Sequence, residues 1–309
     1  MAKYTKMFIM KILKKYIKQA LAFARNEIGT EKILLNQGKI LSSINQNKKA
    51  TSLSDYEWTI FSQWGEDGII DFLVSEIEIK NKNFIEFGIE DFSESNCRFL
   101  MMNSDWKGFV IDGSENNIKK LQNSYYYWKY DLQAESSFID KDNINALLEK
   151  SGFDRDLGIL SVDIDGNDYH VLETIDGFDP RIIICEFNAE FGTERAITVP
   201  YDSIFFRTDK HYSNLYFGAS IKAICLLLNN QGYTLIGTGV TGANAFFVKN
   251  LLMTEKLKKL SKSPFCFSNN ARQSRDIKGN LNFLNEINRY KEIKGLDVIN
   301  TITKEIEQL

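Results

Sequence analysis

The sequence predicts an α/β protein: a doubly wound, seven-stranded Rossmann-like sheet that ends in an antiparallel hairpin, with helical extensions at the amino and carboxy ends. Three observations predict it. From residue 57 short apolar runs alternate with longer amphipathic stretches, as strands crossed by helices do. Acids and glycines recur just past those runs, where a doubly wound sheet gathers its binding loops. The last two apolar runs, 232–237 and 242–248, are joined by a link too short to hold a crossover helix, so they pair antiparallel.

Taken in chain order, residues 1–25 carry Lys3, Lys6, Lys11, Lys14, Lys15, Lys18 and Arg25 without an acid. Ile9, Leu13, Ile17, Leu21 and Ala24 recur between them at helical spacing, which makes a basic amphipathic helix. The lysines interrupt the apolar core that a secretory signal needs. Such a helix suits an anionic membrane surface, or the body of the protein, or a second subunit. Residues 26–56 are polar and read as a linker, so 1–56 is helix and linker, 57–250 the α/β domain, and 251–309 a helical extension. Strands are expected at 84–87, 109–112, 125–130, 157–163 and 181–186. Helices are expected at about 65–78, 95–104, 115–123, 141–151, 168–175 and 219–231. Five parallel strands, a helix and a hairpin are the pattern of the seven-stranded methyltransferase sheet, whereas a nicotinamide-binding Rossmann domain adds a sixth parallel strand.

Composition narrows the function. With 38 basic and 41 acidic side chains the net charge is −3, which argues against nucleic acid as a partner. The 43% apolar content can bury a core, and no run reaches the ~20 apolar residues of a membrane span. Cys97, Cys185, Cys225 and Cys266 lie far apart and His170 and His211 are the two histidines, so zinc is disfavoured. A metal would use oxygen ligands, as magnesium, manganese or calcium does. Isolated cysteines fit a reducing compartment, hence a cytoplasmic protein, which would be peripheral on the inner face of the membrane in the reading where residues 1–25 meet anionic lipid.

The chemistry clusters at strand ends. The first strand ends in Glu86, Phe87 and Gly88, followed by Glu90 and Asp91; a glycine there lets a ligand approach the backbone closely. A pyrophosphate would meet repulsion from these acids, while a cationic sulfonium would not. Asp112 closes the second strand, where an acid accepts both hydroxyls of an adenosine ribose. Asp131 closes the expected third strand, where an acid receives an adenine amino group. The fourth leads into Asp163, Asp165 and Asp168, three carboxylates that call for a positive charge: a hard metal, with Glu186 of the fifth strand as a further ligand, or a base shared with an acceptor. His170 is a candidate base or a cap-side helix residue, and His211 lies in a loop able to cover the acceptor. Gln63 and Glu66 open a helix and either reach the cofactor or cap it.

These residues resemble the FkbM-related methyltransferase-like proteins of bacterial surface-polysaccharide clusters, within the S-adenosylmethionine-dependent methyltransferase superfamily. The resemblance rests on SQWGEDGII (62–70), FIEFGIEDFSESNCRFL (84–100), GFVIDGS (108–114), LSVDIDGNDYHVLE (160–173), IIICEFNAEFG (182–192), YFGASIKA (216–223) and GANAFFV (242–248), and spans about 57–285. It implies that Glu86, Gly88 and Asp112 bind S-adenosylmethionine, that Asp131 lies near its adenine, and that Asp163, Asp165 and Asp168 face the acceptor. The glycine-rich first loop of the superfamily is reduced here to Gly88. The expected reaction is methyl transfer to a sugar hydroxyl of a carbohydrate or nucleotide-sugar acceptor. Two alternatives stand beside it: a metal-dependent glycosyltransferase using Asp163 and Asp165, and a non-catalytic binding protein on the same fold.

Overall fold

The computed structural model describes residues 10–11, 13–18, 29–262 and 273–309. Among the described residues the strands are β1 (Asn83–Phe87), β2 (Lys107–Asp112), β3 (Leu132–Ser136), β4 (Ile159–Val162), β5 (Ile182–Glu186), β6 (Ile197–Thr198), β7 (Tyr233–Thr238), β8 (Asn244–Lys249), β9 (Asp297–Asn300) and β10 (Ile306–Gln308). Seven of them form one sheet in the order β3-β2-β1-β4-β5-β8-β7. The pairs among β1 to β5 are parallel, and β8 runs antiparallel to both β5 and β7. This is the expected doubly wound sheet with its terminal hairpin.

A parallel sheet is covered on both faces, so its strands need apolar residues on both. Alternation along them builds two cores. Phe84, Val110, Ile159, Ile184 and Phe246 face one core. Ile85, Phe109, Leu160, Ile183 and Phe247 face the other. The first is covered by α1 (Thr30–Gln46), α2 (Glu66–Glu76), α3 (Arg98–Ser104) and α4 (Glu115–Gln122). After the short α5 (Tyr125–Lys129), the helices α6 (Ile144–Glu149) and α7 (Asp168–Thr174) cover the second core. It is completed, beyond the single turn α8 (Arg207–Lys210), by α9 (Ile221–Asn230).

The structure departs from the sequence reading in three places. Residues 125–130 are not a strand: 125–129 form a helical turn, and the third strand starts at Leu132, paired from Gly108↔Leu132 to Asp112↔Ser136. The run of aromatics read as strand because aromatic residues favour pleated, half-buried surfaces, a preference that packing overrides. Here Arg98 lies over the Tyr126 ring at 4.6 Å and Phe92 packs beside it at 6.0 Å. Second, part of the supposed linker is the 17-residue helix α1, tied to the body where Arg98 meets Glu31 (2.9 Å) and Asn45 donates to the Tyr56 carbonyl (2.8 Å). Gly38 lets it approach: a Cβ there would lie 2.3 Å from the Phe99 ring.

Third, the carboxy-terminal extension is helical only in part. α10 (Glu255–Leu260) and α11 (Glu286–Ile293) are followed by β9 and β10, which form a second, antiparallel sheet with β6 in the order β10-β9-β6. Ile293, Val298 and Leu309 join Phe191, Phe205, Leu215 and Phe217 in a third core, beside a fully buried pair between Arg289 and Glu190. The tail therefore anchors the segment between β6 and α9, which lies over the crevice of the main sheet. Of the expected helix in 1–25, residues 10–11 and 13–18 are helical and exposed; the rest lies outside the described residues.

Candidate functional site

The loops after β1, β2 and β4 converge where the strand order reverses, between β1 and β4. Ligands bind at this switch point in open α/β sheets. Two adjoining cavities open there. One, of about 490 Å³, is lined by Ile111, Asp112, Ser137, Phe138, Ile139 and Phe206. The other, of about 370 Å³, is lined by Gln63, Glu86, Glu94, Asn96, Glu186 and Asn244. Gly88, Glu90, Asp163, Asp165 and Arg207 line both and form the wall between them.

Gly88 is fixed by sterics. Its φ is +68°, and a Cβ on it would lie 1.6 Å from the Asp163 carbonyl oxygen, so no side chain fits while the β1 and β4 loops meet. Glu90 and Asp165 also hold positive φ, 47° and 57°, a strain of about 1–3 kcal/mol each that recurs at ligand sites.

Glu86 lines the acid-rich cavity, but its carboxylate is committed to the chain: Ser95 Oγ (2.8 Å), Asn96 N (2.7 Å) and Cys97 N (3.2 Å) donate to it. Burial pushes its pKa up to about 7 against those bonds. Asp112 lines the larger cavity and accepts from the N–H groups of Glu90 (2.9 Å) and Ser114 (2.8 Å) and from Asn117 Nδ2 (3.3 Å). These three donors take up part of the carboxylate's acceptor capacity of about four lone-pair sites and leave room for a ligand hydroxyl.

The acids after β4 do different things. Asp163 borders both cavities. Asp165 is exposed and meets the positive charge its position calls for in Arg207 (2.6 Å), whose guanidinium also lies 3.8 Å over the Phe217 ring. Asp163, Asp165 and Glu186 each bring one carboxylate oxygen within 4.8 Å of the others. Asp168, expected to face the crevice, points elsewhere. It is fully buried, borders neither cavity, and accepts from the N–H groups of Ile164 (2.8 Å) and Gly166 (3.0 Å), fixing the turn into α7. Burial first, and then the nearby Glu186, raise its pKa to about 7.

His170 is likewise placed away from the crevice. Its Nε2 lies 2.9 Å from the Val199 carbonyl, the Tyr169 and Tyr201 rings flank it, and burial lowers its pKa. Asp131 precedes β3 at the opposite end of the sheet, where it pairs with Lys107 (3.1 Å), because the true strand starts after it. Glu66 is buried at the start of α2, accepting from Trp64 N (3.0 Å) and Asn244 Nδ2 (3.1 Å), so it braces the second cavity from behind. Gln63 is exposed at the mouth of that cavity. His211 sits against Ser213 Oγ (2.7 Å), outside both cavities.

Sequence reasoning missed Ser137, Phe138 and Ile139 after β3, and in the covering loop it singled out His211 where Phe205, Phe206 and Arg207 line the cavities. Phe138 and Phe206 pack at 5.3 Å between centroids. Placing the strand at 132–136 would have brought the first three to the crevice; nothing local marks the others.

The larger cavity suits a nucleoside: its size lies within the range of small-molecule sites, with aromatic and aliphatic walls for a base, Asp112 for a hydroxyl, and the acids Glu90, Asp163 and Asp165 in its lining, whose charge would suit a cationic group. The family model of the methyltransferase FkbM domain matches residues 78–235, from just before β1 into β7. No curated protein matches the chain in sequence. Among solved structures it is similar to an S-adenosylmethionine-dependent methyltransferase from Clostridium acetobutylicum (9% identity, 60% of this chain and 90% of that one, TM-score 0.37). It is also similar to a SAM-dependent methyltransferase from Aquifex aeolicus (12% identity, 58% and 87%, TM-score 0.31).

Proposed function

Since the chain belongs to the methyltransferase FkbM domain family, we propose that it transfers a methyl group from S-adenosylmethionine to a hydroxyl of a carbohydrate acceptor belonging to a surface polysaccharide or its precursor. The observation that carries this reading is the pair of cavities sharing one wall. The apolar one takes the nucleoside of the cofactor and the acid-rich one the acceptor, and they meet at Gly88, Glu90, Asp163 and Asp165.

The cofactor supplies an electrophilic methyl group on a cationic sulfur. The chain supplies the rest. Gly88 lets the β1 and β4 loops close against each other, which holds Asp163 at the shared wall. Phe138, Ile139 and Phe206 hold a flat base, and Asp112 orients the ribose. Glu90 and Asp163 favour positive charge at the wall. A sugar hydroxyl is a weak nucleophile at neutral pH, and Asp163 is placed to take its proton as transfer proceeds. Arg207 positions Asp165 and closes the covering segment over both cavities.

A divalent magnesium or manganese ion is a second reading of the same acids, favoured by the three converging oxygens of Asp163, Asp165 and Glu186. Against it, Asp165 already has a cation in Arg207. Methyl transfer that survives a chelator assigns Asp163 as the base; methyl transfer that requires manganese assigns it as a ligand.

Calorimetry with S-adenosylmethionine and S-adenosylhomocysteine tests the core of the proposal. Binding that is lost in Gly88→Ala supports it. Absence of binding to either at millimolar concentration would leave a binding protein on a methyltransferase fold and overturn it.

A further inference from the structure

Helix α1 presents two opposed faces. Toward the body it turns Gly38 and Asn45, with Leu35 and Leu41 packed against the first core. On the other side Ile33, Ile40 and Ile44 are 54%, 61% and 59% exposed. At 100° per residue these three fall within about 40° of one another on the helix, so they form one continuous apolar stripe. Lys32 and Lys39 are exposed along one edge of it. The acid of this helix, Glu31, is engaged by Arg98 and points away from the stripe.

A second segment has the same character. Among residues 10–11 and 13–18, which are helical and exposed, Met10, Leu13 and Ile17 share one side, with Lys11, Lys14, Lys15 and Lys18 around them. Two amphipathic segments close in sequence thus expose isoleucine, leucine and methionine, and the exposed charged residues flanking them are lysines. A stripe this apolar needs a cover. Its charge decides between covers: a second copy of α1 would bring lysine against lysine, whereas an anionic lipid surface is complementary. No helix among the described residues is long and apolar enough to cross a bilayer, so the contact would lie in the interface plane.

We propose that α1, through Ile33, Ile40, Ile44, Lys32 and Lys39, together with Met10, Leu13 and Ile17 and the lysines around them, docks the protein on anionic lipid. This surface is separate from the crevice, and its occupation does not depend on the methyl-transfer reading. The protein would then be held at a membrane while the crevice at the strand ends remains open to an acceptor.

The test is sedimentation of the full chain with vesicles of phosphatidylcholine alone and of phosphatidylcholine containing one third phosphatidylglycerol. The expected result is binding to the anionic vesicles only, weakening as salt is raised. Loss of each lysine should weaken it roughly fivefold, the equivalent of about 1 kcal/mol per charge near the surface. The variant I33D/I40D/I44D should lose binding by at least tenfold while keeping its melting temperature, since all three side chains are exposed. Equal binding to both vesicle types, or unchanged binding of the triple variant, overturns the proposal. So does a dimer in analytical ultracentrifugation that the triple variant abolishes while vesicles capture nothing.

Discussion

Glu86 sits where the fold and the site meet, and its titration makes a sharp prediction. Its pKa is raised from an ordinary 4.5 to about 7, because burial outweighs the three donors that reach it. Between these values the native protein holds a proton that the unfolded chain has released. Stability contributed by Glu86 is therefore complete below pH 4.5 and is lost as pH rises toward 7, with a slope of up to about 1.4 kcal/mol per pH unit. Across the window this amounts to about 3 kcal/mol. In Glu86→Gln that slope is absent, but the amide offers one oxygen to three donors, which costs about 1–3 kcal/mol at low pH. The stability difference between the two proteins should shrink from about pH 5 to about pH 7.5 and is not offset by Asp67, Asp168 or His170, since these titrate in both and cancel in the comparison. Urea unfolding across this range measures it. Parallel stability profiles for the two proteins would show that Glu86 is ionised throughout, and the reasoning would fail.

Four further outcomes follow from the same geometry. Gly88→Ala places a Cβ 1.6 Å from the Asp163 carbonyl at a φ of +68°; it should cost about 2 kcal/mol or more and weaken S-adenosylhomocysteine binding over tenfold, read by calorimetry. Asp163→Asn should lower kcat by about 10²–10⁴-fold with cofactor affinity nearly unchanged, and an unchanged kcat would remove Asp163 as base. Asp168→Asn and His170→Gln should affect melting temperature rather than kcat, because neither residue borders a cavity. Arg289→Met leaves the buried Glu190 without its guanidinium partner and should cost about 3–5 kcal/mol, which replacing both residues by apolar ones recovers in thermal unfolding.

The parts of the fold that were legible in the sequence are those dictated by short-range alternation. β1, β4 and β5 are buried along their whole length, and a buried parallel strand is a nearly continuous apolar run. The hairpin was legible because a short link permits one pairing direction. α1 was not, and the cause is physical. Leu35 and Leu41 face the protein while Ile33, Ile40 and Ile44 face away, so the apolar residues do not gather on one side and the helical period is hidden. The same two-faced pattern that concealed the helix is what marks its outer surface as a docking face.

At the site, legibility ended where the chain reverses direction. Asp163, Asp165 and Asp168 look like one cluster in sequence, but the left-handed residue Asp165 turns the backbone, and the Asp168 carboxylate folds back onto the N–H groups of Ile164 and Gly166. A turn-forming acid and a ligand-facing acid use the same residue at the same spacing, and only the direction of the chain between them tells them apart. Arg207 was illegible for a different reason. It reaches Asp165 across 42 residues, and its segment is held over the crevice by a core whose members include Ile293, Val298 and Leu309 of the tail. The charge that balances the acids at the end of β4 therefore depends on packing contributed from the far end of the chain. Weakening the third core, as Arg289→Met does, should loosen Arg207 and raise KM for the acceptor before it unfolds the main sheet.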